Sequence, residues 1–184
     1  MKNYLLIIIS TVACLISNTN LLGQQHPGFT ALQQKDYASA HSVFEAELSK
    51  KNTEFTGAYG MALLLSEADY QGFDLAKAYA YIRQCTDLYR DAKDKEKADW
   101  KELGITSGTL RQKREAIFSA AVSNAEQTGT AAAFEALLEN FKLTYQQKTT
   151  IIQRRNELAF AEAKSVETLT AMEKFLEKYD KDIQ

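Results

Sequence analysis

The segment from Asp36 to Leu48 limits what this chain can fold into. Ala40, Phe44 and Leu48 recur at every fourth position, and Val43 fills the i+3 place between the first two. That is one apolar stripe at helical period. Asp36 stands just before it, where a carboxylate accepts a backbone N–H of the first turn. Ser39, Ser42, Glu45 and Ser49 take the opposite face. A helix this short is marginal alone, because nucleation is costly and few hydrogen bonds follow. Its apolar side needs a neighbour.

The rest of the chain supplies neighbours of the same kind. Ala58, Met61, Ala62 and Leu65 predict a second amphipathic helix from about Phe55 to Tyr70. Gln71-Gly72-Phe73 reads as a turn, and Asp74 caps the next helix, lined by Leu75, Ala78, Tyr79, Ile82 and Tyr89. Cys85 falls on that side and reads as a small buried hydrophobe rather than a reactive thiol. Asp91–Glu102 is charge-rich with mixed signs, a solvated face. It carries a short helix with Trp100 and Leu103 that stops at Gly104.

Thr109-Leu110-Arg111-Gln112 has the pattern of a capping box opening another helix, with Ile117, Phe118, Ala121, Val122 and Ala125 as its stripe. Gly129 ends it and Thr130 caps the next, where Phe134, Leu137, Leu138 and Phe141 fall at i, i+3, i+4 and i+7. Thr144 and Gln147 form a second box. A long helix follows to about Lys164, with Ile151, Ile152, Leu158 and Phe160 among its apolar residues. Thr168 caps a last helix built on Met172, Phe175, Leu176 and Tyr179.

Two stretches repeat. Asp74-Leu75-Ala76-Lys77-Ala78 parallels Asp36-Tyr37-Ala38-Ser39-Ala40, and Phe175-Leu176-Glu177-Lys178-Tyr179 parallels Leu137-Leu138-Glu139-Asn140-Phe141. Each pair is separated by 38 residues. The pattern Asp-Tyr-x-x-Ala-x-x-x-Phe-x-x-x-Leu at 36–48 resembles the second helix of a tetratricopeptide repeat, whose period is about 34 residues. In that family a small residue at the place of Ala40 lets helices approach, and an aromatic at the place of Phe44 wedges between repeats. Ala62 matches the small position of a first helix. Residues 160–179 resemble a helix-pair motif of Bacteroidota envelope proteins, although Asp180 stands where a proline commonly follows.

The resemblance implies an all-α fold, a right-handed stack of antiparallel helix pairs (a tetratricopeptide-like α-solenoid). The expected division is repeats over 24–91, a charged short helix and linker over 92–108, and further helix pairs over 109–184. It also implies that Tyr59, Leu63 and Ser66 face a groove that binds a protein or peptide. The other role for Tyr59 and Leu63 is packing against the adjacent repeat.

Met1–Gly23 has the form of an export signal: Lys2 in the positive region, an apolar run from Leu5 to Ile16, and small Gly23 at the cleavage point. The apolar run is short for a membrane span. Cys14 is the candidate for lipidation, in a box that Ala13 fits and Thr11 does not. Membrane contact is expected only through lipid at Cys14. Gln24–Phe29 reads as a mobile lead with His26 exposed. The chain is thus expected in the periplasm or at the outer membrane, as a lipoprotein, or secreted.

The 184 residues carry a formal net charge of −2, which gives no electrostatic case for nucleic acid. Two cysteines exclude a Cys-x-x-Cys metal centre. Two histidines, with no nucleophile elbow, zinc-binding His-Glu-x-x-His, phosphate loop or dinucleotide fingerprint, leave no catalytic residues, metal or cofactor to name. The expected function is an exported non-catalytic scaffold that binds protein partners in the cell envelope. The alternative is a spacer, or the front of a larger protein anchored to peptidoglycan or the outer membrane.

Overall fold

A computed structural model describes residues 26–166 and 168–179. The export segment and Cys14 lie outside them. Every regular element among the described residues is an α-helix: α1 (Pro27–Gln33), α2 (Tyr37–Leu48), α3 (Glu54–Leu64), α4 (Leu75–Asp91), α5 (Asp94–Glu102), α6 (Ser107–Thr128), α7 (Ala131–Asn140), α8 (Tyr145–Ser165) and α9 (Leu169–Tyr179). The chain divides into two compact units, one reaching Arg114 and the other beginning at Glu115.

Local chemistry sets most boundaries. Asp36 accepts the Ser39 N–H at 3.1 Å and Asp74 the Lys77 N–H at 3.0 Å. Thr130, Thr144 and Thr168 accept from Ala133, Gln147 and Ala171. Gly104 and Gly129 stop α5 and α6 at φ +75 and +65, where a Cβ would be strained. Lys35 adopts the same left-handed conformation at the end of α1, φ +57, without being glycine. One cap falls elsewhere than the sequence suggests. The box at the start of α6 is Thr106 with Thr109, not Thr109 with Gln112: Thr106 Oγ1 accepts the Thr109 N–H and Thr109 Oγ1 accepts the Thr106 N–H. Threonine at the third position returns the bond that a glutamine would.

In the first unit, α1 to α4 pack each on the next, and α1 also touches α3. The centre is Phe44, fully buried. It fits because of glycine. A Cβ on Gly60 would run into the Phe44 ring, as would one on Gly28, and a Cβ on Gly57 would meet the α2 backbone at Leu48 N, 2.7 Å. So α3 is notched, and α2 lies in the notch. Helix α3 is also shorter and differently surrounded than the periodicity predicts. It ends at Leu64, and every residue from Phe55 to Leu64 is buried. It is a central helix rather than an amphipathic one.

His26 and Pro27 likewise differ from a mobile, exposed lead. Pro27 starts α1, where its missing N–H costs nothing. The His26 side chain is only 14% exposed, with Nε2 2.7 Å from Glu47 Oε1. Its ring lies 4.7 Å from Phe29 and stacks on Phe44 at 6.0 Å. An imidazole beside aromatic rings is covered once α1 docks, and a carboxylate across α2 gives its nitrogen a partner.

Residues 92–108 belong to this packing too. Trp100 stacks on Phe55 at 3.7 Å, and Ile105 is buried. The charges of α5 are solvated, as expected, but its one indole packs on the first turn of α3.

The second unit has a thinner interior. Ile117, Ala121 and Ala125 of α6 are buried, with Phe134 and Leu137 of α7 and Phe141 just after it. Phe118 meets Phe141 at 5.8 Å. On α8 the buried stripe is Ile151, Arg155, Ala159 and Ala163. It shares only Ile151 with the apolar residues read from the sequence, and Phe160 is 44% exposed. Arg155 is tolerated because its guanidinium lies 4.8 Å over the Tyr179 ring and donates to Asn156 Oδ1.

Candidate interaction surface

Tyr59, Leu63 and Ser66, the expected groove residues, sit inside the first unit. Tyr59 is 2% exposed and meets Phe29 edge-on at 6.1 Å; Leu63 is 8% exposed. Ser66 is half-buried and donates to the Ala62 carbonyl at 2.6 Å. Burial pushes the Tyr59 phenol well above its ordinary pKa. The side chains of Tyr59 and Leu63 therefore pack as core. Cys85 is fully buried, its thiol raised by burial and pointing at the Phe55 carbonyl at 3.7 Å. That is the inert setting its place on α4 suggests.

Lys35, Glu67, Asp69 and Lys113 interact at one corner of the first unit, where the α1–α2 turn, the α3–α4 loop and the start of α6 supply them. Lys35 binds Asp69 at 2.7 Å. Glu67 is half-buried, and burial raises its carboxyl above the usual range, partly offset by Lys35. Burial lowers the Lys113 ammonium, and Glu67 opposes that shift. Tyr37 stacks obliquely with Tyr70 at 5.6 Å, and its hydroxyl is buried with no hydrogen-bond partner. His41 lies 3.7 Å from Glu45 on the exposed side of α2. The Lys35–Asp69 pair joins the α1–α2 turn to the α3–α4 loop. Among the described residues no group of three His, Cys, Asp or Glu side chains could hold a metal ion. No helix among them is long and apolar enough to cross a membrane.

The second unit is where apolar surface faces water. Among the described residues the exposed large hydrophobic side chains are Tyr145, Phe160, Val166, Leu169 and Leu176. All lie on α8, α9 or the link between them. Leu169 and Leu176 are seven residues apart and so share one face of α9; they are 77% and 52% exposed. Glu173 lies between them on that face, with Glu177 on its flank, both exposed. The inner face of α9 is occupied: Tyr179 packs on Ala131 and Ala159, Phe175 meets Phe160 at 5.6 Å, and Lys178 pairs with Glu135. Sequence periodicity assigned Leu176 and Tyr179 to one stripe. It carries no signal that one faces inward and the other out, since that depends on which helices surround α9.

No protein-family model, no curated protein and no solved structure matches the chain.

Proposed function

We propose that this chain is an exported, non-catalytic helical scaffold of the cell envelope, built of stacked helix pairs, and that it holds a protein partner on its second unit. The observation that carries this is the exposure of Leu169 and Leu176 on a helix whose other face is packed. Apolar side chains gathered at one place on a charged helical surface are a common mark of a docking site. In this view the groove residues move from Tyr59, Leu63 and Ser66 to the outer face of α9.

The test is affinity capture from envelope extract with the wild-type chain and with Leu169→Lys/Leu176→Lys. A specific prey should be recovered by the first and lost by the second, while both keep the same helical circular dichroism. Equal recovery with both would remove α9 from the function.

A further inference from the structure

We infer that the open face of α9 takes an amphipathic helix of the same chemistry as α8, with small residues four apart and a glutamate near its C-terminal end. The inference rests on the scaffold reading above and names the partner of that site.

The grounds are the two helices α7 and α9. Thr130 caps α7 by accepting from Ala133 at 3.3 Å, and Thr168 caps α9 by accepting from Ala171 at 3.2 Å, 38 residues later. In that register Leu138 corresponds to Leu176, Phe141 to Tyr179 and Ala131 to Leu169. The two copies differ in what covers them. Ala131 is 4% exposed: it packs with Ala159 of α8 and Tyr179 of α9, and its N–H donates to Glu162 Oε1 at 3.1 Å. So the C-terminal half of α8 closes the start of α7, laying a small residue on its side and a carboxylate at its N-terminal end. An acceptor there satisfies a free backbone N–H and meets the positive end of the helix dipole.

On α9 the matching position, Leu169, is 77% exposed, and Leu176 is 52% exposed where Leu138 is half-buried. The start of α9 is thus a counterpart of one that this chain covers elsewhere, where α8 supplies the small residue and the carboxylate and Tyr179 of α9 completes the cover. Leucine at 169 needs more room than alanine at 131, so the incoming helix must present alanine or glycine opposite it. Glu173 and Glu177 favour lysine or arginine along the rim of that helix.

The probe is a labelled peptide of residues 145–165, stapled on its outward face so that it is helical when free. It is titrated into the full chain and followed by fluorescence anisotropy. Saturable binding is expected, weakened about tenfold or more by Leu169→Lys/Leu176→Lys, in line with loss of two apolar contacts. A peptide carrying Glu162→Gln should also bind less tightly, whereas the exposed Tyr145→Lys variant of the chain should bind as the wild type does. Absence of saturable binding, or binding that the double substitution leaves unchanged, overturns the inference. So does a concentration-dependent dimer of the full chain that the double substitution abolishes without any peptide binding, which assigns the face to a second copy. If prey capture is lost in the double variant and the peptide still fails to bind, the scaffold reading survives and this one falls.

Discussion

The two units bury different things. Up to Arg114 five rings, Phe29, Phe44, Phe55, Tyr59 and Tyr79, are buried among large aliphatic side chains such as Met61, Leu64, Ile82 and Leu110, and glycines on α1 and α3 make room for Phe44. From Glu115 alanine takes a larger share, at 121, 125, 131, 159 and 163, beside Ile117, Leu137 and Ile151 and the rings of Phe134, Phe141 and Tyr179. Large rings in small recesses give dense contact that leaves little apolar surface over. Alanine stripes bring helices close but bury less area each. The difference teaches that stability and availability are divided along the chain. The first unit spends its hydrophobic side chains on itself, and the second leaves some on the outside.

That contrast can be broken at several points. The largest effect is expected from Phe44→Ala, which empties the notch of α3. A fully buried phenylalanine cut to alanine costs about 3–5 kcal/mol, read as a fall in the urea midpoint. Gly60→Ala attacks the same fit from the other side. Its methyl must displace the Phe44 ring, and overpacking of this kind costs about 1–3 kcal/mol. If Gly60→Ala leaves the thermal midpoint unchanged, the notch is not what seats Phe44. Trp100→Ala should cost about 2 kcal/mol through the lost stack on Phe55, placing residues 92–108 within the first cooperative unit.

A smaller effect belongs to the charged corner. Burial holds the Glu67 carboxyl above its ordinary value, so the folded chain keeps that proton to higher pH than the unfolded one. The stabilisation is complete below the unfolded pKa, near 4.5, and is lost as pH rises through the raised folded value. Glu67→Gln should therefore gain in stability relative to wild type between pH 4 and 7. The gain stays below ~1 kcal/mol, because the group is about half in contact with solvent. Denaturant curves at both pH values decide it; a gain that grows towards acid would reverse the sign. The smallest effect is expected from Leu169→Ser/Leu176→Ser, within ~0.5 kcal/mol of wild type, as for surface positions. A large loss there would mean that the second unit needs those leucines for its own fold.

Helix type and most boundaries were legible in the sequence, because caps are local. Asp36, Asp74, Thr130, Thr144, Thr168, Gly104 and Gly129 each act within a few residues of their own place. Thr106 was missed because its box closes through a threonine. What lay beyond reach was long-range. Nothing near Tyr59 reveals that α1, through Phe29, lies against it, so the sequence leaves groove and core both open for it. His26 read as solvent for the same reason, since Glu47 and Phe44 reach it only after α2 turns back. Gly57 and Gly60 interrupt a helical pattern, and their purpose shows only when Phe44 is in place. Arg155 lies in a buried stripe that apolar periodicity does not mark, because Tyr179, which covers it, lies on another helix.

The recess in α3 also bears on how the chain comes apart. A ring enclosed by glycines on two other helices has no halfway position: it is seated or it is out. Lifting α1 away would strip Gly28 from Phe44 and His26 from its stack in one movement, baring the ring beneath. Amide protons of α1, α2 and α3 should accordingly exchange together, as a single opening event, rather than fraying one helix at a time from the front.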